Sequence, residues 1–346
     1  MLKKSLIASA VLAGLTLAAP VAQAQSSVQF SGLADMYVGS MKFAGDATRK
    51  TTVGNSGMTT SWIGVRGSED IGNGMKVGFA MTSFLRMSNG DFGRFPNDTF
   101  WSRDANVSLS GGFGTVVLGR WMAPNFLPTI LFNPFGDSFT FSPLVLHANV
   151  PLFNGTNWVG TTTPSDTGWS SQIAYTTPDI GGLKATLQYQ MKGDSSTGKS
   201  SNYGGNLLYF SGPIGLTAFY ERAENANPVT TTFADGSKRT NWMLGGSYDL
   251  TAVKLFLTYG QSKNDVTTAK LKTAQVGASM PIGPGKLLAS YAQTRNSLLD
   301  AKRQTLTVGY DYNLSKRTDV YANVMNDRIT NRNSGTSVGV GLRHRF

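Results

Sequence analysis

The chain has 346 residues, a formal net charge of +11, no cysteine and two histidines, His147 and His344. The lack of cysteine excludes disulfide frameworks, thiolate metal sites and thiol nucleophiles, and two histidines leave little for a zinc site or a catalytic triad. We therefore expect no cofactor, no metal and no enzymatic activity. The basic residues are scattered without interleaved aromatic residues, so the excess charge predicts a field that favours anions and does not predict nucleic-acid binding.

The amino-terminal segment has the pattern of a secretory signal peptide. Lys3 and Lys4 precede an apolar stretch at 6–19, and Ala24 closes an A-x-A cleavage motif. Cleavage after Ala24 would leave one domain at 25–346, and loss of the two lysines would lower the net charge from +11 to +9. No later stretch approaches the ~20 apolar residues that a membrane-spanning helix requires.

Residues of alternating polarity recur from Val28 to the end of the chain, with the period of two that is typical of β-strands. Short connections with turn residues, such as 72–74 and 212–213, alternate with long ones such as 41–57 and 122–168. Short turns at one end and long loops at the other are typical of an outer-membrane barrel. We predict an all-β, 16-stranded antiparallel transmembrane β-barrel, with strands centred near 28–39, 58–68, 75–86, 100–109, 115–121, 169–177, 183–191, 203–211, 215–223, 241–249, 252–261, 271–280, 286–295, 303–312, 318–326 and 336–346.

The last eleven residues carry the clearest alternation, with Val340, Leu342 and Phe346 on one face and Arg343 and Arg345 on the other. Such a strand suits a closed barrel with lipid outside and water inside, and it indicates an outer-membrane channel. An outer-membrane barrel enzyme and a secreted soluble β-protein are the alternatives. The first would need an activated nucleophile with a histidine base, and the second leaves the apolar outer face unexplained.

Strand parity assigns the basic residues to the two faces of the predicted wall. A charge that faces lipid at mid-depth costs about 2–4 kcal/mol, so cations within strands are expected to point inward. One strand conflicts with this rule, because Arg103 shares its face with Val107 and Leu109; a strand at a subunit interface would resolve the conflict. The lumen cations predicted from parity are Lys76, Arg86, Lys184, Arg343 and Arg345, and Arg66 is also predicted to point inward.

Five segments resemble the general porins of β-proteobacteria, the trimeric Gram-negative porin family, in the order in which that family has them. They are SWIGVRGSEDIGNGMK at 61–76, SGGFGTVVLGR at 110–120, YTTPDIGG at 175–182, YNLSKRTDVYA at 312–322 and GLRHRF at 341–346. The resemblance covers essentially all of 25–346. It implies an outer-membrane trimer of a Gram-negative bacterium, with a third loop at 122–168 folded into the lumen as an eyelet. It also implies passive diffusion of small hydrophilic solutes and ions, with a mild preference for anions.

The arginines of the eyelet carry over only in part. Arg103 and Arg120 match positions where the resemblance implies arginines that face the lumen. Trp62 and Ala174 stand where relatives commonly have further arginines. Two of the implied cations are therefore missing, which would weaken the field across the constriction.

The third loop also carries less charge than the resemblance implies. It has no lysine or arginine, carries Asp137 and Asp166 as its only acidic residues, and is rich in phenylalanine and leucine. These apolar residues either anchor the loop to the wall or, with Trp62, line a constriction that favours aromatic or carboxylic nutrients. The candidate constriction residues are Arg103, Arg120, Trp62, Arg66, Asp137, Phe135 and Tyr37.

The resemblance also implies the partners of the chain. The C-terminal residues Arg343, Arg345 and Phe346 resemble the tag that is read by the barrel-insertion machinery, so Phe346 is the candidate assembly signal. A homotrimer, contact with outer-membrane lipid and lipopolysaccharide, and small solutes and anions as the permeating species are the remaining expectations.

Overall fold

The described part of the chain is built almost entirely from β-strands. The computed structural model describes residues 26–96, 98–149, 166–192, 201–224, 238–265 and 268–346, so the predicted signal peptide and its cleavage site lie outside the described residues, as does 150–165 of the predicted eyelet loop. The strands are β1 (Ser27–Met41), β2 (Lys50–Asn55), β3 (Trp62–Gly72), β4 (Met75–Arg86), β5 (Asp91–Phe92), β6 (Asp104–Gly111), β7 (Gly114–Met122), β8 (Gly168–Thr176), β9 (Leu183–Gln190), β10 (Asn202–Ser211), β11 (Ile214–Glu224), β12 (Lys238–Asp249), β13 (Lys254–Asn264), β14 (Lys270–Ile282), β15 (Gly285–Asn296), β16 (Ala301–Asn313), β17 (Thr318–Ile329) and β18 (Gly335–Arg345). Two short helices, α1 (Phe126–Leu131) and α2 (Pro143–Ala148), lie between β7 and β8. Neither helix is long and apolar enough to cross a bilayer.

The strands form one antiparallel sheet that closes on itself. Each wall strand pairs with its neighbours along the chain, and β1 pairs with β18 in the register Val38↔Val340. The two segments β2 and β3 share one position in the wall, because β1 pairs with both of them, and the two-residue β5 is an extra strand against β4. Among the described residues the wall therefore has 16 strand positions, which confirms the predicted barrel.

The wall strand shared by β2 and β3 is interrupted by a turn that Asp35 of β1 holds in place. The buried carboxylate of Asp35 accepts hydrogen bonds from the backbone N–H groups of Gly57, Met58 and Thr59, at 2.8–2.9 Å. These bonds satisfy backbone donors that the sheet no longer pairs. The freed carbonyl of Gly57 accepts a hydrogen bond from Ser138 Oγ at 2.6 Å. The interruption thus creates the docking point for the segment between β7 and β8.

The alternation in the sequence becomes an inner and an outer face of the barrel. On β18, Val340 and Leu342 are exposed to the outside, whereas Ser337 and Arg343 are buried on the inner face. The turns at 73–74, 112–113 and 212–213 lie at one end, which we call the turn end. The opposite end, the loop end, carries the connection from β7 to β8 and the shorter ones at 265–269, 297–300 and 330–334. This arrangement is that of an outer-membrane barrel with periplasmic turns and extracellular loops.

The segment between β7 and β8 folds into the barrel and packs on the inner wall. Phe132, Phe141, Leu144 and Leu146 are at most 1% exposed, and α2 contacts β14, β15 and β16. Most of the third loop's apolar residues that the structure describes are therefore an anchor, one of the two interpretations that the sequence left open. Their burial fixes the position of α1, which faces the remaining open space.

Candidate functional site

The open space beside the third loop is a cavity of about 360 Å³ inside the barrel. Strands β3, β4, β6 and β7 form one side of it, and α1 forms the other. Among the predicted constriction residues, those that line this cavity are Trp62, Arg66, Arg103, Arg120 and Asp137. The sequence therefore located five residues that are far apart in the chain and adjacent in the fold.

An aromatic ring lies beside two guanidinium groups on the strand side of the cavity. The Cζ atom of Arg103 is 4.1 Å from the centroid of the Trp62 ring, and that of Arg66 is 5.4 Å away. Both distances are within the range of cation–π attraction. Arg66 also forms an ion pair with Asp104 at 2.7 Å, and Asp104 accepts a hydrogen bond from Thr82. Trp62 thus stands where the resemblance implied an arginine, and it holds two other arginines at the channel wall.

The predicted conflict at Arg103 does not arise, because β6 begins one residue later, at Asp104. The strand predicted at 100–109 was therefore too long at its start. Residues Ala105, Val107 and Leu109 alternate outward as expected, with Val107 54% exposed. Arg103 precedes the strand, so its side chain is not bound by the alternation and turns into the lumen.

Arg94 also lines the cavity and was missed by the sequence analysis. It forms ion pairs with Asp98 at 2.8 Å and with Asp166 at 2.7 Å. Burial raises the pKa of Asp166, but the charges of Arg94 and Arg120 outweigh burial and hold that pKa below its usual range. The sequence does place Arg94 four residues before Asp98, but this spacing is equally typical of an ion pair on the protein surface. Asp166, predicted as an acidic group of the eyelet loop, is therefore bound to a cation from the preceding loop.

Arg120 differs from its neighbours because its hydrogen-bond partners are uncharged. Its Nε donates to the carbonyl oxygen of Ser102 at 2.7 Å, and its Nη1 donates to Ser170 Oγ at 2.9 Å. These bonds fix the guanidinium group, and no carboxylate of the described residues contacts it directly. Among the described residues, Arg120 and Arg103, whose bond to Asp104 is long at 3.4 Å, are therefore the cations of the cavity with the weakest direct contacts to carboxylates.

The opposite side of the cavity is apolar. Phe126, Leu127 and Ile130 of α1 line it, and Asp137 is the acidic residue of the loop that reaches it. Burial raises the pKa of Asp137, while a hydrogen bond from Thr59 opposes the shift. Three apolar side chains of α1 thus line this cavity, whereas most of the other described apolar side chains of the loop anchor it to the wall.

Two predicted constriction residues do not line the cavity. Phe135 is 1% exposed and Tyr37 is 8% exposed, and both belong to the hydrophobic cluster between the loop and the wall. The ring of Tyr37 packs edge-on against Phe141, with 5.7 Å between the centroids. The assignment of Phe135 and Tyr37 to the constriction is therefore wrong, because the turn that follows α1 carries Phe135 under the loop, and Tyr37 of β1 packs into the same buried cluster.

The predicted lumen cations lie on the inner face, mostly beside acidic residues. Arg343 forms ion pairs with Asp311 and Asp319, both at 2.9 Å, and Arg345 pairs with Asp319 at 2.8 Å. The other pairs are longer and more exposed: Arg86 with Asp91 at 3.1 Å and Lys184 with Asp179 at 3.9 Å. Lys76 lies at the turn end of β4, in register with Asp70 and Ser110.

The C-terminal residue closes the barrel seam at the turn end. The backbone of Phe346 exchanges two hydrogen bonds with that of Gly32 of β1, at 2.9 and 3.1 Å. Its ring lies 6.2 Å from those of Phe30 and His344 on the outer face. Phe346 therefore joins the two ends of the described barrel.

A closed barrel with an apolar outer face, a polar lumen and an inward-folded loop defines a channel-forming outer-membrane protein. The chain belongs to the Gram-negative porin family, whose pattern matches residues 8–333. It is 31% identical to outer membrane porin protein 32 of Delftia acidovorans, and 27% identical to an outer membrane porin protein of Bordetella pertussis, in each case over 100% of both chains. Among solved structures it resembles the anion-selective porin from Comamonas acidovorans, with a TM-score of 0.76 and 27% identity over 93% of this chain and 100% of that one.

These comparisons confirm the function and the location predicted from the sequence. The protein is a porin of the Gram-negative outer membrane and forms a water-filled channel for the passive diffusion of small hydrophilic solutes and ions. The outer membrane protein OmpT of Vibrio cholerae, with a TM-score of 0.68 at 16% identity, shares the fold.

Proposed function

We propose that the channel has a mild preference for anions and that Arg103 and Arg120 set it. The observation that carries this proposal is the bonding of Arg120, whose side chain is held by Ser102 and Ser170 and has no carboxylate partner in the part of the chain that the structure describes. The similar porin from Comamonas acidovorans is named as anion-selective, which supports the same direction. The preference is mild because Arg66 and Arg94 are neutralised by Asp104, Asp98 and Asp166.

The proposal predicts a measurable shift in selectivity when Arg120 loses its charge. A unit charge about 6 Å from a permeating ion contributes about 0.7 kcal/mol in water, which is about a threefold change in the local concentration of that ion. Since chloride and potassium respond in opposite directions, Arg120→Gln should lower the chloride-to-potassium permeability ratio by up to about tenfold. Reversal potentials of purified porin in planar bilayers under a KCl gradient give this ratio.

Arg86→Gln is the matched control, because Arg86 forms an ion pair with Asp91 outside the cavity. We expect its permeability ratio to stay within about twofold of the unchanged protein. The proposal is refuted if Arg120→Gln and Arg86→Gln have the same reversal potential as the unchanged protein.

A second candidate function is a preference for aromatic or carboxylic nutrients. It is favoured by the pairing of an apolar surface, Phe126, Leu127 and Ile130, with the Trp62 and Arg103 contact across the same cavity. An aromatic carboxylate would place its ring against the apolar side and its charge against Arg103. Liposome swelling with benzoate and with a sugar acid of similar size would distinguish the two functions, because a pure anion filter passes both at rates set by size.

Trp62→Arg separates these two functions further. It restores a cation where the resemblance implies one and removes the aromatic surface. The chloride preference should then rise while the relative rate for benzoate falls. Strong anion selectivity that Trp62→Arg leaves unchanged would count against a weakened eyelet.

The proposed assembly follows the family. We propose a homotrimer, which the trimer form of OmpT of Vibrio cholerae supports at the level of fold, and insertion into the membrane through recognition of Phe346. A gel of unheated detergent extract tests the first point, since an SDS-resistant oligomer should collapse to the monomer on boiling. The single-domain organisation at 25–346 and the contact with outer-membrane lipid belong to the same proposal.

A further inference from the structure

Arg120 lies at a position of β7 from which a regular strand would direct its side chain out of the barrel. Leu118, two residues earlier, is 52% exposed on the outer face, and Ala105, directly opposite Arg120 on β6, belongs to the outward row of that strand. Residues two apart in a regular strand share a face. The Arg120 side chain nevertheless lines the cavity inside the barrel, as does that of the next residue, Trp121. Two consecutive residues therefore reach the lumen, which a regular strand does not allow.

The pairing of β7 with β8 is irregular at this point. The pairs on either side are Gly119↔Gln172 and Trp121↔Trp169. Two residues of β8, Ser170 and Ser171, are thus opposite the single residue Arg120, and Ser171 has a φ of +49°. Such a two-against-one arrangement is a β-bulge, which bends the strand and changes the direction of nearby side chains.

Gly119 is the residue of β7 that allows this backbone. Its φ is +119°, a conformation in which a residue with a Cβ is strained. A Cβ added here would also clash with the carbonyl oxygen of Ala105 and lie 3.1 Å from the Cα atom of Asn106. Both atoms belong to the backbone of β6, so a rotated side chain could not relieve the clash. The position therefore requires glycine.

Polar side chains of the lumen hold the bulge in place. Nε2 of Gln172, which is buried, donates to the carbonyl oxygens of Trp121 at 2.8 Å and Trp169 at 2.9 Å. Nδ2 of Asn106 donates to the carbonyl oxygen of Arg120 at 2.8 Å. These bonds satisfy backbone acceptors where the regular ladder is interrupted. The irregularity is therefore a stable part of the fold.

We infer that Gly119 and the bulge opposite it are the positioning element that turns Arg120 from the lipid face into the channel. The bulge also supplies a partner for the turned side chain, because Ser170 Oγ accepts a hydrogen bond from Arg120 Nη1 at 2.9 Å. Gly119 does not line the cavity, so it acts on selectivity only through Arg120. The effect on selectivity rests on the function proposed above for Arg120, whereas the direction of the side chain does not depend on that function.

Cysteine labelling of the full-length porin in liposomes tests the direction of the side chain. The chain has no cysteine, so Arg120→Cys introduces a unique thiol. We expect the water-soluble reagent methanethiosulfonate ethylsulfonate to label this thiol through the channel. With Gly119→Ala added, labelling should become about a hundredfold slower, since a thiol among lipid chains has a raised pKa and loses the thiolate form that reacts. Band shift on heating verifies that each variant is folded.

Two matched controls separate the direction of one side chain from a general distortion of the wall. Ser108→Cys, on the inner face of β6, should be labelled at the same rate with and without Gly119→Ala. Gly112→Ala, in the turn between β6 and β7, adds a Cβ that meets no described atom within 4 Å and should leave the labelling of Arg120→Cys unchanged. If Gly119→Ala does not fold, Ser171→Val disturbs the other side of the bulge. A β-branched residue is disfavoured about tenfold or more at positive φ, so this variant should slow the labelling of Arg120→Cys to a similar extent.

Reversal potentials under a KCl gradient test the consequence for selectivity. Gly119→Ala keeps every charged residue, yet it should lower the chloride-to-potassium permeability ratio as much as Arg120→Gln does, by up to about tenfold. The double variant should show no further change, because both substitutions remove the same charge from the channel.

The inference is overturned if Arg120→Cys is labelled at the same rate with and without the change at Gly119 or, where that variant does not fold, at Ser171. It is also overturned if Arg120→Cys resists labelling in the otherwise unchanged protein, since the bonds of the arginine itself would then hold the side chain inward. An equal loss of labelling at Ser108→Cys would show a general distortion and would overturn it as well. Slower labelling of Arg120→Cys together with an unchanged permeability ratio would support the positioning role and refute the function proposed for Arg120.

Discussion

The buried imidazole of His147 is expected to make the docking of the third loop sensitive to acid. Its Nδ1 and Nε2 each lie 2.8 Å from a threonine hydroxyl of the wall, Thr294 and Thr305. Burial lowers the pKa of His147 well below 6.5, and the charge of Arg303 lowers it further. Arg303 is itself paired with Asp327, which also accepts a hydrogen bond from Thr305. An imidazolium in this position would therefore be buried beside a cation.

The size of the effect follows from proton linkage. Because the pKa is lower in the docked loop than in the undocked one, the docked loop binds fewer protons. Its stability is complete above about pH 6.5 and falls as the pH drops below that value. The loss is about 1.4 kcal/mol for each pH unit until the pH reaches the pKa of the docked state. Between about pH 6.5 and 5.5 the ratio of docked to undocked loop should therefore fall about fivefold.

Single-channel recording in planar bilayers measures this change as an increase in transient current steps on acidification. His147→Gln keeps hydrogen-bonding capacity toward the two threonines but does not titrate, so it should remove most of the pH dependence between about pH 6.5 and 5.5. Ser170→Ala, which alters the loop end of β8 without touching His147, is the matched control and should retain the dependence. The reasoning fails if His147→Gln and the unchanged protein respond to acid alike.

Two further predictions concern packing and assembly. Phe141→Ala removes a fully buried ring of the loop anchor and should destabilise docking of the loop by about 3–5 kcal/mol. The measurement is hydrogen exchange, which should become faster in α2 and change little in β13–β17. An unchanged exchange rate in α2 would contradict the anchoring role. Deletion of Phe346 removes both the backbone pair with Gly32 and the ring contact with Phe30, and should reduce the yield of folded oligomer in the outer membrane, whereas an undiminished yield would exclude it as the assembly signal.

The barrel was predictable because its two governing signals are local. The period of two and the spacing of turn residues can be read from each segment alone. Together they predict the strands of the wall and which end of the barrel carries the turns. The break between β2 and β3 could not be read in this way. It depends on the carboxylate of Asp35 in the neighbouring strand, which captures three backbone donors from the turn at 57–59.

The constriction was less predictable because a short shift at a strand end changes where a side chain points. Arg103 turns inward only because β6 begins at Asp104, and Arg94 reaches the cavity through its pairing with Asp166 across the loop end. Phe135 belongs to a run of apolar residues. Some of these residues, on α1, face the channel and others anchor the loop, but both groups are the same residue types in the sequence. Only the fold of the loop separates the two groups.

The net charge alone does not predict the ion selectivity of the channel, because the basic residues lie on both faces of the barrel wall. The barrel wall, and screening over about 8–10 Å in physiological salt, separate the permeating ions from six exposed basic residues on the outer face at the loop end of β13 to β17. They are Lys263, Lys270, Lys272, Arg295, Lys302 and Arg328. Removing Lys272, Arg295 and Lys302 takes three charges from the protein and should leave the reversal potential within error. Removing Arg120 alone takes one charge and should shift it. If the triple variant changed the chloride-to-potassium ratio more than Arg120→Gln does, selectivity would be a property of the total charge, and the local role of Arg103 and Arg120 would be wrong.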